Sequence, residues 1–296
     1  MKPRVAITEG DPAGIGPEIA RRVASDPRIT AVCEPMLYGA PDGRFSHGVL
    51  SGEAGRASYE AVLRAVSDAQ SGIVDAMVTA PINKEAWSLA GIPWKGHTDL
   101  LAHLTGADHV AMMFHSEVLR VVLATVHIPL ADVPRTLTAA SLQATIQLTS
   151  RELPRFGVAR PRIALAGLNP HAGEHGLMGR EDQEVLAPSV AVCRAQGIDV
   201  AGPFPGDTVF VRARRGEFDV VIACYHDQGL IPVKLLAFGE GVNVTLGLPI
   251  VRTSVDHGTA FDIAGRGVAD SNSMLSAVLL AARLSGRSAE TLRIRG

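Results

Sequence analysis

The chain has 296 residues, of which 47% are apolar and 20% are charged, and its formal net charge is −2. This composition is typical of a globular protein and excludes a disordered chain, a collagen and a coiled coil. The near-neutral charge and an aromatic content of 4% argue against nucleic acid or a membrane as a partner. Three widely separated cysteines, Cys33, Cys193 and Cys224, favour reduced thiols and a cytoplasmic location.

Short apolar runs alternate with longer amphipathic stretches along the chain. Six runs predict strands: Arg4–Thr8, Asp75–Ala80, Arg120–His127, Arg162–Leu168, Asp219–Tyr225 and Pro249–Ser254. Four stretches with glycine just beyond them predict helices: Glu53–Ser71, Ala139–Phe156, Arg180–Gln196 and Ser271–Ser285. The runs are continuously apolar, as in strands that are covered on both faces. We therefore predict an α/β protein with a largely parallel sheet.

A polar cluster flanked by glycine or proline follows each of the six apolar runs. Ligand sites in α/β sheets lie beyond the carboxyl ends of the strands, so six such clusters predict one shared crevice. His127, His171 and His226 each lie at or shortly after the end of such a run. Three neutral imidazoles at such an edge can bind a divalent metal and leave a position open for substrate. Three unrelated loop histidines are the alternative, and His257 has a similar setting.

Two segments have features of anion sites. The first reads Gly10-Asp11-Pro12-Ala13-Gly14-Ile15-Gly16-Pro17-Glu18, and its glycines lie just before the start of a predicted helix. It lacks the third glycine of the dinucleotide fingerprint and the lysine of a Walker A loop, and a plain tight turn is the alternative. In the second, His97 and Thr98 open another predicted helix, where they either donate to an anion or cap the helix.

Three further side chains around a glycine-rich loop have the chemistry to bind a carboxylate or a phosphate. They are Lys234, Asn243 and Arg252. Solvated surface side chains are the alternative for each of them, because a lone lysine or arginine is more often exposed than engaged.

Six blocks of the chain together resemble the 4-hydroxythreonine-4-phosphate dehydrogenase family. They are Gly10–Glu18, Thr79–Lys84, Gly96–Thr98, Asn169–Glu174, Tyr225–Lys234 and Arg252–Thr259. The resemblance implies a fold like that of isocitrate and isopropylmalate dehydrogenases, with the active site in the cleft between two α/β domains. It also implies a homodimer whose active site is completed at the subunit interface. We expect a discontinuous domain of residues 1–98 and 243–296, and an inserted domain of residues 99–242 with the metal ligands and the dimer interface.

The resemblance also implies roles for individual residues. A divalent metal, zinc, magnesium or cobalt, is expected on His127, His171 and His226. Substrate contacts map to His97, Thr98, Lys234, Asn243 and Arg252. The cofactor is expected to be NAD, with Gly10, Asp11, Gly14 and Gly16 as candidates for its site. Lys234 is the candidate for proton transfer or for an electrostatic clamp, and Asp227, Asp256 and His257 compete with it. Glu174, near a metal ligand, is placed to orient an imidazole.

The implied reaction oxidises the C3 hydroxyl of 4-phosphohydroxy-L-threonine and then releases CO2. The product is 3-amino-2-oxopropyl phosphate, used in pyridoxal phosphate biosynthesis. The alternative within the family is D-threonate or D-erythronate 4-phosphate, a step of sugar-acid catabolism that gives dihydroxyacetone phosphate and CO2. Alternatives of another class are a metal hydrolase or aldolase and a non-catalytic protein that binds a phosphorylated metabolite.

Overall fold

The computed structural model describes residues 1–41, 43–237, 239 and 241–293, the side chains as far as residue 286. The described strands are β1 (Arg4–Thr8), β2 (Glu34–Tyr38), β3 (Ala76–Thr79), β4 (Ala111–His115), β5 (Arg120–Leu123), β6 (Ile163–Ala166), β7 (Val200–Phe204), β8 (Val220–Ala223), β9 (Val242–Leu246) and β10 (Arg252–Ser254). The described α-helices are α1 (Gly16–Ala24), α2 (Pro27–Val32), α3 (Gly52–Gln70), α4 (Lys84–Leu89), α5 (His97–Thr105), α6 (Val133–Thr136), α7 (Ala139–Glu152), α8 (Ala187–Ala195), α9 (Gly206–Arg214), α10 (His226–Ala237) and α11 (Asn272–Arg293).

Backbone contacts divide the chain into two compact units. The first consists of Met1–Asp108 and Leu248–Gly296, and the second is His109–Gly247. The domain division predicted from the sequence, with boundaries after residues 98 and 242, stays a prediction. No helix in the part of the chain that the structure describes is long and apolar enough to cross a membrane.

The first unit is built on four parallel strands in the order β2-β1-β3-β10. The residues of β3 are at most 1% exposed, which is why the sequence shows a continuous apolar run there. The loops that leave the carboxyl ends of these strands touch one another: the amide of Asp11 donates to Pro81 O at 2.9 Å, and that of Ile15 to Thr259 O at 3.0 Å. These loops therefore form one edge of the unit.

The second unit has six strands in the order β9-β4-β5-β8-β6-β7. Strand β4 is antiparallel to β9 and β5, whereas the pairs β5-β8, β8-β6 and β6-β7 are parallel. A core of buried apolar side chains, in which Val121 and Val221 are fully buried, packs helices against the sheet. Because β5, β8 and β6 are parallel neighbours, the loops after them leave at the same edge. These are the loops that carry His127, His226 and His171.

The predicted α/β class with a largely parallel sheet is confirmed. Strands β2, β4, β7 and β9 were not among the six predicted runs, and several predicted elements end at other residues than expected. The predicted strand 120–127 ends at Leu123, and the predicted helix 139–156 finishes as a 3-10 turn, Leu153–Phe156. Gly286 does not end the last helix, which continues to Arg293. An internal glycine costs a helix only about 1 kcal/mol relative to alanine, which the preceding buried turns can offset.

Candidate active site

Two of the three candidate metal ligands lie side by side. The ring centroids of His127 and His226 are 5.4 Å apart with an angle of 44° between the planes. His226 opens α10 and its Nδ1 lies 2.7 Å from Asp227 Oδ1, whereas the His127 side chain is exposed on its loop. A carboxylate on Nδ1 fixes the tautomer and leaves Nε2 as the free ligand atom, an arrangement typical of metal-binding histidines.

His171 lies in an unusual backbone segment beyond β6. Residues 171–175 all have positive φ, with values of 52°, 54°, 79°, 41° and 58°. Four of these residues are not glycine, and each such residue costs roughly 1–2 kcal/mol in the left-handed region. His171 is exposed and its Nδ1 lies 3.4 Å from Glu174 Oε2. The segment thus brings the His171 imidazole and the Glu174 carboxylate together. The sequence analysis expected Glu174 to lie near such an imidazole.

The amide of Gln228 links the loops that carry His171 and His226. Its Oε1 accepts from the backbone amide of Cys224 and its Nε2 donates to the carbonyl of Gly167, both at 2.7 Å. Cys224 follows β8 and Gly167 follows β6, so one side chain ties the ends of two neighbouring strands. Sequence analysis did not single out Gln228, because nothing in the chain indicates which backbone groups its amide meets.

A pocket of about 730 Å³ opens beside these loops within the second unit. His171, Asp227 and Tyr225 line its polar part, together with Asp207, a carboxylate that the sequence did not indicate. Apolar side chains of α9 and α10, among them Phe210, Val211, Ile231 and Leu235, also line it. The pocket therefore combines titratable groups with an apolar wall, as small-molecule sites generally do.

In the first unit, Arg252 and His97 form a second group of candidate residues. Arg252 is 4% exposed, and its Nη2 donates to Thr79 Oγ1 at 2.6 Å across the β10–β3 pair. Burial lowers the pKa of this guanidinium to about 10, so it is still a cation at neutral pH. His97 opens α5 and meets the buried ring of Trp87 edge-on, with 5.9 Å between the ring centroids.

His97 is neutral at physiological pH. Burial of its ring, first, and then the charges of Arg252 and Lys84 hold the pKa of the imidazole well below its ordinary value. Its Nε2 is buried and has no hydrogen-bond partner among the described residues. Lys84 ends the sequence block Thr79–Lys84, and the sequence analysis gave it no role. The structure places its side chain against the loop before His97, since a Cβ on Gly96 would lie 3.7 Å from Lys84 Cε.

Lys84→Met is expected to raise the pKa of the His97 imidazole. Removing the ammonium removes a charge that disfavours the protonated ring, while burial and Arg252 still hold the pKa below its ordinary value. Ring-nitrogen NMR titrations of wild type and variant measure the shift. Lys95→Met is the matched control, because Lys95 is an exposed lysine of the same loop that does not influence the His97 pKa. An unchanged or lower pKa in the Lys84 variant would contradict this account.

The glycine-rich segment after β1 forms hydrogen bonds within itself. The amide of Ala13 donates to Asp11 Oδ1 at 2.9 Å and that of Gly14 to Asp11 O at 3.0 Å. Gly10 has φ +68°, and a Cβ there would clash with Pro81 O, while one on Gly16 would clash with Glu9 O. Close backbone packing thus accounts for these glycines, and a cofactor role for Gly10, Asp11, Gly14 and Gly16 stays a prediction.

One part of this segment points to a ligand. The carboxylate of Asp11 is 1% exposed, and its Oδ2 has no partner among the described residues. Burial raises the pKa of this carboxyl, more than the bond from Ala13 lowers it. A buried carboxyl oxygen without a partner costs free energy unless a donor reaches it.

The other predicted residues lie as follows. Thr98 is half-buried in the first turn of α5, and Lys234 is exposed on α10. Asn243 is half-buried on β9, and its Oδ1 is buried with no partner among the described residues. Asp256 follows β10, where its Oδ1 accepts from Ser273 Oγ at 3.2 Å. His97, Thr98, Arg252 and Asp256 thus belong to the first unit and the other predicted substrate, metal and catalytic residues to the second.

Comparison with known proteins identifies the family. Residues 19–281 match the family described as "Pyridoxal phosphate biosynthetic protein PdxA". The chain belongs to this family. A 4-hydroxythreonine-4-phosphate dehydrogenase of Beijerinckia indica is 46% identical over 95% of this chain and 94% of its own length. A D-threonate 4-phosphate dehydrogenase of Cupriavidus necator is 43% identical over 97% of this chain and 98% of its own.

The solved structures agree with this assignment. A 4-hydroxythreonine-4-phosphate dehydrogenase of Klebsiella pneumoniae is 41% identical, with a TM-score of 0.87 over 96% of this chain and 98% of its own. An isocitrate dehydrogenase of Methylococcus capsulatus is 16% identical with a TM-score of 0.53, so it supports the fold alone. The predicted resemblance, the isocitrate dehydrogenase-like fold and the prediction of an enzyme of the dehydrogenase class are thereby confirmed.

The donor set of this PdxA-family chain fits a divalent cation in its chemistry. Two imidazoles are paired, and the Nδ1 atoms of His171 and His226 each lie near a carboxylate, which leaves both Nε2 atoms as ligands. Within the described residues, no group of three His, Cys, Asp or Glu side chains of one chain is close enough to hold a metal.

Proposed function

We propose that the chain is a metal- and NAD-dependent dehydrogenase that oxidises a four-carbon, 4-phosphorylated hydroxy acid and then releases CO2. The single observation that supports it best is the pairing of His127 with His226 at the edge that also carries His171, in a chain of the PdxA family. Three neutral imidazoles favour a catalytic metal with an open position.

The metal would be held by His127, His171 and His226, with Asp227 and Glu174 orienting two of the rings. When bound, a zinc, magnesium or cobalt ion acts as a Lewis acid that lowers the pKa of the substrate hydroxyl and stabilises negative charge on its oxygen. The chain's own contribution is to orient the His171 and His226 imidazoles through Glu174 and Asp227 and to supply an apolar wall beside His171.

The substrate's anionic and polar groups are assigned to five side chains that can form hydrogen bonds or ion pairs with them. Arg252 supplies a buried guanidinium and His97 a neutral, buried Nε2, while Thr98 lies in the first turn of the same helix. Asn243 Oδ1, which is buried and has no partner among the described residues, is suited to a hydroxyl or amino group. Lys234 adds an exposed ammonium.

The chemistry proceeds in two steps. The C3 hydroxyl loses its proton and the C3–H passes as hydride to NAD, which becomes NADH and leaves a ketone at C3. The bond between C1 and C2 then breaks, CO2 leaves, and the electron pair remaining on C2 is delocalised into the ketone until C2 takes up a proton. Lys234 is our candidate for moving these protons, because Asp227 is bonded to His226 and Asp256 to Ser273.

NAD is assigned to the first unit, with Gly10, Asp11, Gly14 and Gly16 in its site. Support for this assignment comes from Asp11 Oδ2, a buried acceptor without a partner among the described residues, which suits a donor such as a ribose hydroxyl. The absence of the dinucleotide fingerprint agrees with a cofactor site outside the Rossmann class.

Relatives of two kinds suggest two substrates. 4-Phosphohydroxy-L-threonine is our first choice, with 3-amino-2-oxopropyl phosphate as its product, since the Beijerinckia relative is 46% identical. D-Threonate or D-erythronate 4-phosphate is the alternative, since the Cupriavidus relative is 43% identical. Both alignments, of 318 and 328 positions, are longer than this chain of 296 residues, so chain length favours neither substrate.

Formation of NADH tests the proposal. Purified protein is incubated with NAD and zinc, magnesium or cobalt, and then with each phosphorylated acid in turn, and NADH and CO2 are measured. We expect both products in equal amounts with at least one acid, and kcat/KM decides between the amino acid and the hydroxy acids. No NADH with any of them, although the metal binds, would overturn the dehydrogenase and favour a hydrolase, an aldolase or a binding protein.

The assembly is proposed to be a homodimer formed through the apolar side of the pocket. Val211 on α9 and Ile231 and Leu235 on α10 are 49%, 65% and 81% exposed, and all three line the pocket that contains His171. A contiguous apolar patch of this kind in a protein of this class marks an interaction surface. A second copy that covers it would also bring its own side chains next to His171.

Leu235→Glu is expected to convert the dimer into single chains, because the new carboxylate would be buried without a partner at the centre of the interface. Light scattering during size-exclusion chromatography measures the mass. Val268→Glu is the matched control, since Val268 is 66% exposed in the first unit and should leave the mass unchanged. A wild-type mass of one chain would contradict the dimer.

A further inference from the structure

A buried carboxylate lies beneath the loop that carries His171, and the proposed chemistry does not use it. Asp182 is 1% exposed and begins a short π-helical segment, Asp182–Leu186, just before α8. Its Oδ1 accepts from the backbone amide of Leu168 at 2.9 Å. Its Oδ2 accepts from the backbone amide of Asn169 at 3.1 Å and from Asn169 Nδ2 at 3.0 Å. Three hydrogen bonds therefore converge on one buried side chain.

The same carboxylate packs against the backbone on both sides of His171. A Cβ added to Gly167 would lie 3.0 Å from Asp182 Oδ1. A Cβ added to Gly173, which has φ +79°, would lie 3.2 Å from Asp182 Cβ and 3.3 Å from its Oδ2. Glycine at both positions lets the loop close around the carboxylate. Asp182 thus holds the backbone before His171 by hydrogen bonds and packs against the backbone after His171.

The left-handed segment needs such an anchor. His171, Ala172, Glu174 and His175 have positive φ, a conformation that side chains with a Cβ disfavour, so local preference does not hold the segment in place. Such backbone persists where the surrounding structure over-determines it, and it is found most often at ligand sites. The hydrogen bonds to Asp182 fix the loop from its buried side, while the His171 imidazole remains exposed.

We propose that Asp182 is a positioning residue that holds His171 in the orientation in which it binds the metal. This rests on the proposed function, in which His171 is a ligand. The carboxylate orders the loop during folding, so metal binding does not carry the entropy cost of ordering it. Removing the anchor leaves all the ligands in the chain and lowers the population of the conformation in which His171 can bind.

Cobalt binding tests the proposal without the reaction. Wild-type protein and Asp182→Asn are titrated with Co²⁺ alone, and its visible absorption bands report both affinity and ligand geometry. The amide keeps the size of the carboxylate, but its NH₂ group faces backbone amides that also donate. We expect the Kd for Co²⁺ to rise on the order of 10-fold to 100-fold, as when partners that support metal ligands are removed. Thermal unfolding of the same samples separates this effect from a loss of stability.

Two further variants make the test decisive. Gly173→Ala crowds Asp182 from the other side of the loop and should also raise the Kd for Co²⁺. It therefore tests the positioning role even if Asp182→Asn does not fold. Glu184→Gln is the control, an exposed carboxylate of the same π-helical segment that forms only a 4.0 Å ion pair with Arg180.

The outcomes are distinguishable. If wild-type protein binds no Co²⁺, the proposed metal function fails. If wild-type protein binds Co²⁺ and both Asp182→Asn and Gly173→Ala bind it with unchanged Kd and unchanged bands, the positioning role is overturned, even where the melting temperature falls.

Discussion

Replacing His171 with alanine is expected to abolish turnover and to reduce the metal content, while the fold stays intact. His171 is 62% exposed, so its side chain contributes little to the core. A Lewis acid contributes several kcal/mol to such a reaction. Because about 1.4 kcal/mol corresponds to a factor of ten in rate, we expect kcat/KM to fall at least about 10³-fold. Metal analysis, NADH formation and circular dichroism measure the three properties.

His175→Ala is the matched control for this substitution. His175 lies in the same left-handed segment, with φ 58° against 52° for His171, and its side chain is also exposed. Its replacement changes the local backbone preference in the same way but removes no proposed ligand. Activity and metal content should stay near the wild-type values. Equal losses in both variants would point to the segment's conformation, and full activity of His171→Ala would remove His171 from the ligand set.

Replacing Arg252 with methionine is expected to raise the KM for the phosphorylated acid about 10-fold to 100-fold. Hydrogen bonds to charged groups contribute about 1.5–3 kcal/mol, and each 1.4 kcal/mol is about a factor of ten in binding. Methionine fills much of the space of the side chain, which is 4% exposed, so the substitution removes the charge with little cavity. Steady-state kinetics with each substrate varied in turn measure the effect.

Arg266→Met is the control, because Arg266 is an exposed arginine of the same unit. It should leave both KM values unchanged. A rise confined to the KM for NAD in Arg252→Met would move Arg252 to the cofactor side of the site. A large fall in the melting temperature without a change in either KM would make Arg252 a structural residue.

The places of six strands were predictable, although not their exact ends, because buried parallel strands are apolar throughout. The polar residues that follow these runs stand out in the sequence, which is why His127, His171 and His226 were candidates from the sequence alone. The structure places them on loops from three parallel neighbours, β5, β6 and β8, and brings two of the rings to 5.4 Å.

Strand order and antiparallel pairing were not predictable in the same way. Strand β4 lies between β9 and β5, two partners at very different distances along the chain, and runs antiparallel to both. Its residues, Ala111–His115, have no alternating or turn-flanked pattern that indicates this pairing. The pairing of β4 with β9 joins two segments far apart in the chain, and no local segment carries that information.

By itself, the sequence determined the α/β class, the family and the residue types of the chemistry, because these depend on patterns and motifs that are local in the chain. Only the tertiary structure decided which groups support one another: Asp182 beneath His171, Gln228 between two strand ends, Lys84 near His97 and Asp227 on His226. Gln228 and Gly167 are far apart in the chain, and even between residues that are closer along it, hydrogen bonds and electrostatic effects depend on distance and burial in space, which exist only once the strands are ordered.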